Sequence, residues 1–340
     1  MAAEDLSPPL EADLSVRGFL GHESMRRGWG RGFESGRLGH AHLVAGPEGI
    51  GKGFLVRRWA AMLLCRDPQF GEAPDPQACG HCSSCQALKS GNHGGYLEIS
   101  TEGSGPVEIA RMREILHFLS LRADGRRVIL IDSADQLREE AANALLKILE
   151  EPPAETHFLL VSHRPARLLK TIVSRCQRWL LGPLARDPFL EILDRHGVSG
   201  DLATFLFEGA GGRPGAALLL GEAIERCGGI GAFGQILGEV PDDPRDLVSL
   251  TLREGESFDR QTVQRTLKVI GDGLWAFRGE TLESRERAAT RTLMLSHLAR
   301  HLERFGSADL VIEAVAMVLR SENPREVVSR IPRVMGTYWA

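Results

Sequence analysis

The fold of this chain is decided by residues 46–53, which read Gly46-Pro47-Glu48-Gly49-Ile50-Gly51-Lys52-Gly53. A short apolar run, Ala41–Ala45, leads into this loop, and Phe54–Leu64 follows it with apolar residues at helical spacing. A strand, a glycine-rich loop and a helix in this order are typical of a phosphate-binding loop, or P-loop, whose backbone N–H groups and lysine meet the charge of phosphates. The candidate nucleotide-binding residues of this loop are Gly46, Gly49, Gly51, Lys52 and Gly53.

Two positions of this candidate nucleotide site depart from the usual chemistry. Gly53 stands where the motif has Ser or Thr, whose hydroxyl normally holds Mg²⁺. Asp132 ends the apolar run Val128–Ile131, where a Walker B carboxylate is expected, but Ser133 follows it instead of a glutamate that would activate water. A serine cannot act as a general base at neutral pH without a partner. We therefore expect a degenerate nucleotide site that includes Asp132, and the residues leave open whether ATP or ADP binds there.

The composition is that of an ordinary globular protein. The chain has 340 residues, of which 43% are hydrophobic and 25% charged, with a formal net charge of −4. No apolar run approaches the roughly 18 residues of a membrane span, and residues 1–14 do not have the pattern of a secretory signal. These features favour a cytoplasmic protein with no membrane partner, and the net charge does not by itself point to nucleic acid.

Apolar strands alternate with helical segments up to residue 182. The predicted strands are Ala41–Ala45, Val128–Ile131 and Phe158–Val161, and the predicted helices are Phe54–Leu64, Val107–Leu121 and Leu137–Glu150, the last with Asp135 as its cap. This alternation predicts an α/β domain with a parallel sheet covered on both faces, over residues 1–182. Beyond it we expect a small helical domain at 183–228 and a longer all-helical domain at 229–340, with helices at Arg291–Phe305 and Ala308–Arg320.

A cysteine cluster indicates a metal site within the first domain. Cys79, Cys82 and Cys85 are spaced three residues apart in a polar module at about residues 65–95, and Cys65 precedes them. A structural Zn²⁺ ion takes four tetrahedral nitrogen or sulfur ligands. Cys65 is the preferred fourth ligand, with His81 and His93 as alternatives. Cys176 and Cys227 stand apart and are interpreted as buried thiols.

Arg175 lies in the segment Ser174-Arg175-Cys176, which follows the strand at Phe158–Val161. An arginine at this place could reach the nucleotide of a neighbouring subunit, where arginine fingers stabilise the charge that develops on phosphoryl groups. The residue by itself favours the simpler interpretation, an ion-pairing side chain on the surface.

Together these motifs resemble one family, the bacterial clamp-loader AAA+ subunits of DNA polymerase III. The string that carries most of the resemblance is Asn143-Ala144-Leu145-Leu146-Lys147-Ile148-Leu149-Glu150-Glu151-Pro152-Pro153, supported by the P-loop, the four cysteines, the Walker B strand and Ser174-Arg175-Cys176. The resemblance covers about residues 36–182 and continues more weakly through Gly209–Leu220. The resemblance implies an AAA+ domain at 1–182 with an inserted zinc module, a helical lid at 183–228 and a helical collar at 229–340.

The departures from the family pattern favour its delta-prime branch over the gamma/tau branch, which is the ATPase motor. Gly53 and Ser133 replace catalytic residues of gamma/tau, and the sensor-2 arginine of its lid aligns with Gly215, two residues from Arg213. Arg175 is retained, so the resemblance implies that it is a finger acting on a neighbour's nucleotide. It also supports Cys65 as a zinc ligand, although the gap between Cys65 and Cys79 is longer than the family pattern.

The resemblance implies a subunit that does not hydrolyse ATP by itself and is a component of the DNA polymerase III holoenzyme. Its implied partners are the gamma/tau and delta subunits and, through the complex, the sliding clamp and primer-template DNA. Two alternatives stay open at this point. One is an active ATPase of gamma/tau type, and the other is a zinc-bearing nucleotide-binding adaptor outside replication.

Overall fold

A computed structural model describes residues 19–70, 76–99, 109–121, 125–253, 255–304 and 307–321. It divides the chain into two compact units, Met1–Leu184 and Ala185–Ala340. The acidic start of the chain, the first two residues of the helix expected at Val107–Leu121, and the last 19 residues of the domain expected at 229–340 lie outside the described residues. The boundary expected at residue 228, within the second unit, stays a prediction.

The first unit is built on one parallel sheet. Among the described residues its strands are β1 (Ala41–Ala45), β2 (Tyr96–Ile99), β3 (Arg127–Ile131), β4 (Thr156–Ser162) and β5 (Gln177–Leu180). Their order across the sheet is β2-β3-β4-β1-β5, and every neighbouring pair is parallel. The direction of the connections reverses at β1. From β1 the chain goes to β2, β3 and β4 on one side of that strand, and it then crosses to β5 on the other side. Open parallel sheets bind ligands at such a reversal, beyond the carboxyl ends of the strands.

Helices cover both faces of this sheet, as the apolar strands predict. The helices of the first unit are α1 (Glu23–Glu34), α2 (Lys52–Leu64), α3 (Ser83–Lys89), α4 (Ile109–Ser120), α5 (Glu139–Glu150) and α6 (Lys170–Arg175). On one face, side chains of β1, β3 and β4 form a buried cluster with those of α4, α5 and α6. On the other face α2 packs against β1, β3 and β4. The alternation of side chains along each strand gives both faces an apolar layer.

The structure adds elements to those expected from the sequence. The edge strands β2 and β5 and the helices α1, α3 and α6 are new, and a 3₁₀ turn at Ala134–Gln136 separates β3 from α5. The interpretation of Asp135 as a helix cap is wrong, because Arg138 is the residue before α5 and no side chain caps that helix. Asp135 instead lies in the 3₁₀ turn with its side chain fully buried.

Within its described residues, the second unit is helical. Its helices are α7 (Arg186–Arg195), α8 (Gly200–Ala210), α9 (Pro214–Arg226), α10 (Ile230–Gly238), α11 (Arg260–Ala276), α12 (Leu282–Arg304) and α13 (Ala308–Arg320), with a 3₁₀ segment at Pro244–Leu250. Helix α11 packs against α8, α9 and α12, and it is capped by Asp259, whose carboxylate accepts hydrogen bonds from the N–H groups of Gln261 and Thr262. Helix α13 has the expected bounds, whereas α12 begins nine residues before the expected Arg291.

Candidate functional site

The carboxyl edge of the sheet brings together residues that lie far apart in the sequence. The glycine-rich loop follows β1, and Asp132 follows β3. Glu98 lies near the end of β2, and Ser162 is the last residue of β4. Because all the strands are parallel, these ends meet at one edge of the sheet. The candidate nucleotide site is therefore located where the fold predicts a ligand.

The loop at residues 46–53 depends on glycine at two kinds of position. Gly49 and Gly51 have φ angles of 78° and 96°, a backbone conformation that residues with a β-carbon rarely adopt. Gly46 is needed for a different reason, because a β-carbon there would lie 2.3 Å from the carbonyl oxygen of Leu181. The glycines thus allow the loop to turn tightly next to β5, with its N–H groups at the start of α2.

Lys52 is the first residue of α2 and is largely buried. Its Nζ donates a hydrogen bond to the carbonyl oxygen of Pro47 at 2.8 Å, so the ammonium group lies over the loop. Desolvation by burial lowers the pKa of Lys52, and the negative charges of Glu48, Asp132 and Asp135 oppose that shift. Negatively charged groups therefore surround Lys52, and a phosphate bound at the loop would be a further negative charge beside it.

The guanidinium of Arg57 lies next to position 53. A β-carbon at Gly53 would lie 3.0 Å from Nη1 of Arg57 and 3.6 Å from Oδ2 of Asp132. Nη2 of Arg57 lies 3.8 Å from the same oxygen of Asp132. The guanidinium thus lies beside both the glycine and the Walker B carboxylate. Sequence analysis did not single out Arg57, because one arginine in an amphipathic helix has no distinguishing pattern.

Arg57 is fixed by a network that joins α2 to β2. Its Nη2 donates to Oε1 of Glu98 at 2.6 Å, and its Nε lies 3.1 Å from the same oxygen. The hydroxyl of Tyr96 donates to Oε2 of Glu98 at 2.6 Å. The side chain of Glu98 is fully buried, and the charge of Arg57 compensates its burial. Burial alone would lower the pKa of Arg57, but the hydrogen bond and charge of Glu98, with the charge of Asp132, raise it overall.

The segment after Asp132 has no glutamate and turns sharply. Ser133 adopts a left-handed conformation with φ of 57°, and its N–H donates to Oδ1 of Asp132 at 2.8 Å. Asp135 accepts hydrogen bonds from the hydroxyl of Ser162 at 2.7 Å and from the N–H of His163 at 3.2 Å. The residues beyond β3 and β4 are therefore tied to each other. None of these contacts provides Ser133 with a base that would activate its hydroxyl.

The four cysteines of the module come together as a compact cluster. The sulfur atoms of Cys65, Cys79, Cys82 and Cys85 all lie within 4.8 Å of one another. Cys65 lies at the carboxyl end of α2, and Cys82 precedes the first residue of α3. The sulfur–sulfur distances are 4.0 Å for Cys65–Cys82, 4.0 Å for Cys79–Cys85 and 3.7 Å for Cys65–Cys85. Tetrahedral zinc with Zn–S bonds of about 2.3 Å requires sulfur atoms about 3.8 Å apart.

Backbone N–H groups surround these sulfur atoms in the way that thiolate ligands require. The N–H of Cys79 donates to Sγ of Cys65 at 3.3 Å, and that of Cys82 donates to Sγ of Cys79 at 3.3 Å. His93 is engaged elsewhere, since its Nε2 lies 2.7 Å from the hydroxyl of Ser84 and its Nδ1 accepts from the N–H of Gly95. The donor set therefore fits zinc, and the cluster includes Cys65 rather than either histidine.

The remaining candidate residues lie outside these two clusters. Arg175 ends α6, where its Nη2 donates to Oε1 of Glu150 at 2.6 Å and its Nη1 donates to the carbonyl oxygen of Thr171. Arg213 pairs with Asp272 of α11 within the second unit. Cys176 is buried as expected, but Cys227 is only half-buried, which corrects the expectation for that thiol. No helix in the described parts of the chain combines the length and the apolar character needed to cross a membrane.

Comparison with known proteins agrees with the motifs. Residues 21–185 match the family described as DNA polymerase III, delta subunit. The delta' subunit of DNA polymerase III from Pseudomonas aeruginosa is 44% identical over 146 residues, which cover 42% of this chain and 43% of that protein. The delta' subunit from Escherichia coli is 36% identical over 192 residues, covering 55% of this chain and 56% of that protein.

A subunit of the other branch also matches. The tau/gamma subunit from Haemophilus influenzae is 35% identical over 189 residues, covering 55% of this chain and 25% of that protein. The chain thus spans about half the length of the delta' relatives described above.

Proposed function

We propose that the chain is a delta-prime clamp-loader subunit, because residues 21–185 match the family described as DNA polymerase III, delta subunit, and delta' subunits of two bacteria are 44% and 36% identical to parts of the chain. In this role it takes part in loading a sliding clamp onto primed DNA during replication. Its partners are gamma/tau and delta subunits, with the clamp and primer-template DNA contacted through the complex. The chain works in the cytoplasm, where replication takes place in bacteria.

The proposal assigns the chain no ATP hydrolysis of its own. The observation that carries this part is the composition of the site at Gly53 and Asp132, where a guanidinium lies beside the two positions that normally hold Mg²⁺. Ser133 adds a second argument, since it stands where a glutamate would activate water. Gly46, Gly49, Gly51 and Lys52 keep the phosphate-binding framework of the loop without its catalytic parts.

Arg175 is the residue that we propose for catalysis, acting in a neighbouring subunit. It lies at the end of α6 with about a third of its side chain exposed. Its guanidinium would stabilise the negative charge that develops when the neighbour's ATP is cleaved. The four cysteines hold a structural zinc ion that connects the module to α2. The expected lid at 183–228 and collar at 229–340 are part of the same proposal, the collar joining the subunits.

Reconstitution tests this function. The chain is combined with gamma/tau and delta subunits, and clamp loading and ATP hydrolysis are measured with and without it. We expect that loading onto primed DNA requires the chain and that the isolated chain hydrolyses no ATP. Failure of the chain to assemble with these subunits would reject the proposal and favour an adaptor outside replication.

A second candidate, an active ATPase of gamma/tau type, is favoured by the match to a tau/gamma subunit. It predicts sustained ATP hydrolysis by the isolated chain that is lost in Lys52→Ala. Hydrolysis that is equal in the wild type and in Lys52→Ala comes from a contaminant and does not support this candidate. The same two proteins therefore distinguish both functions.

A further inference from the structure

We propose that the guanidinium of Arg57 takes the place of the divalent cation in this P-loop site. Asp132 then faces a fixed side-chain cation and takes up no metal ion. A phosphate group at the loop would meet Lys52 and backbone N–H groups without a divalent cation. This inference does not depend on the clamp-loader role, because every group in it belongs to one chain.

The first support is the position of the guanidinium. In P-loop proteins the divalent cation is held by the hydroxyl at the position of Gly53 and by the Walker B carboxylate, here Asp132. A β-carbon at Gly53 would lie 3.0 Å from Nη1 of Arg57, and Nη2 lies 3.8 Å from the Asp132 carboxylate. The cationic group of Arg57 therefore lies beside both of the positions that would hold the ion.

The second support is the anchoring of Arg57. Its hydrogen bonds to Glu98 hold the guanidinium at one end, and Tyr96 orients the same carboxylate from the other side. If Arg57 moved away, the hydrogen bonds that it donates to the fully buried carboxylate of Glu98 would be lost, which is unfavourable. The guanidinium is therefore a permanent part of the site rather than a side chain that yields to an arriving ion.

The third support is chemical. A guanidinium has five N–H donors and no lone pair for a metal ion, so it cannot act as a ligand. The positive charge of the guanidinium, 3.8 Å from the carboxylate of Asp132, also repels a divalent cation there. Gly53 and Arg57 then form one arrangement. A serine or threonine at position 53 would bring its β-carbon to 3.0 Å from the guanidinium, and a glycine leaves that space to Arg57.

The experiment uses Mn²⁺ as the probe, on the full chain loaded with zinc, with and without ADP. Binding is followed by electron paramagnetic resonance of free Mn²⁺. We expect the wild type to show no Mn²⁺ binding that depends on Asp132, so that the wild type and Asp132→Asn give the same titration. Binding of one Mn²⁺ ion by the wild type that is lost in Asp132→Asn would overturn the proposal.

Three substitutions create the site that the proposal describes as blocked. Gly53→Ser restores the hydroxyl, while Arg57→Gln and Glu98→Gln together remove the guanidinium and its buried counter-ion without leaving a lone charge. The triple variant is expected to bind Mn²⁺ with ADP at least tenfold more tightly than the wild type. Adding Asp132→Asn to it is expected to abolish that gain.

The matched control is Gly53→Ser alone, which keeps Arg57 and is expected to bind no more Mn²⁺ than the wild type. A gain by this single variant would overturn the role of Arg57, because the missing hydroxyl alone would then explain the loss of the ion. So would a triple variant that is folded by circular dichroism and binds no more than the wild type. The comparison of the wild type with Asp132→Asn decides the question even if the triple variant does not fold.

Discussion

Nη2 of Arg175 lies 2.6 Å from Oε1 of Glu150, so the arginine proposed as a finger is paired with the last residue of α5. The two side chains are 35% and 45% exposed. The pair therefore contributes little to stability, in the range of 0–1 kcal/mol that is typical of surface ion pairs. Such a pair can orient the arginine in the free subunit and release it to a stronger partner. A phosphate group of a neighbour's nucleotide is a partner of this kind.

Arg175→Ala is expected to slow ATP hydrolysis at the site that it serves in the reconstituted complex. Arginine fingers contribute about 10³-fold or more to the rate of phosphoryl transfer, so the loss at that site is large. Assembly, measured by size-exclusion chromatography, stays intact because the side chain lies on the surface. An unchanged rate of hydrolysis in a fully assembled complex would remove the finger role. Arg175→Lys keeps the charge but loses the planar fork, and we expect it to restore only part of the rate.

Glu150→Gln tests the pairing separately from the finger. The free energy of unfolding of the chain is expected to change by less than about 1 kcal/mol in urea titrations. The rate of ATP hydrolysis in the complex is expected to fall between those of the wild type and Arg175→Ala, since the arginine remains but is less well oriented. A rate as low as that of Arg175→Ala would show that Glu150 has a larger role than orientation.

The cysteine cluster is expected to hold about one zinc ion per chain, as one four-ligand site requires. Elemental analysis of the purified protein measures this directly. Cys82→Ser is expected to lower the zinc content and to destabilise the first unit, because the module loses its shared centre. Cys227→Ser, which changes a half-buried thiol of the second unit, serves as the control and should retain the metal. Full zinc content in Cys82→Ser would mean that the site is misassigned.

His42 is expected to make the stability fall in acid. It is buried in β1, where its Nδ1 accepts a hydrogen bond from Nε1 of Trp179 at 3.1 Å. Burial, together with the charge of His157, lowers the pKa of His42 to about 4. The folded pKa thus lies below the unfolded value of about 6.5, so the unfolded chain binds the proton more readily. The contribution of His42 is complete above pH 6.5 and is lost as the pH falls from 6.5 towards 4.

His42→Gln isolates this effect because glutamine can still accept the hydrogen bond from Trp179. The free energy of unfolding is measured for both proteins at pH 7 and pH 4.5. We expect the wild type to lose about 2–3 kcal/mol more than the variant over this interval. The difference between the two pH values is the relevant quantity, since the substitution also changes the stability at neutral pH. Parallel curves for the two proteins would contradict the prediction.

Gly46→Ala is expected to destabilise the first unit by about 2–4 kcal/mol, because the new β-carbon would lie 2.3 Å from the backbone oxygen of Leu181. A backbone oxygen directly after β5 cannot move aside as a flexible side chain can. Gly39→Ala is the matched control, since a β-carbon there has no neighbour within 4 Å and its cost should stay below about 1 kcal/mol. Equal effects of the two substitutions would mean that the loop yields more easily than its packing indicates.

The sequence predicted those parts of the sheet that are buried on both sides. The runs within β1, β3 and β4 are mainly apolar, because helices cover both faces of these strands. The edge strands β2 and β5 were not predicted, and each for its own reason. Glu98 in β2 breaks the apolar pattern, and β5 is mostly exposed. A pattern of apolar residues reveals neither a strand that carries a buried carboxylate nor a strand whose side chains face solvent.

Some residues of the candidate site were likewise predicted from the sequence and others were not. Gly53, Asp132 and the cysteines were visible because each belongs to a motif with fixed local spacing. The contact of Arg57 with Glu98 joins positions 41 residues apart, and no local spacing encodes it. Asp135 was wrongly interpreted as a cap because an acidic residue before a helix usually has that role, whereas here it binds Ser162 of β4. Long-range polar contacts therefore account for what the sequence did not predict.

Helix α2 connects the two candidate sites, since Lys52 is its first residue and Cys65 directly follows its last. The helix is therefore a spacer of set length. Insertion or deletion of one residue within it would rotate Cys65 by about 100° relative to the loop, and the four sulfur atoms could no longer converge. Substitutions such as glycine at position 53 leave this length untouched. The cysteine cluster thus constrains the length of the helix that carries the loop, while the chemistry of the loop is free to change.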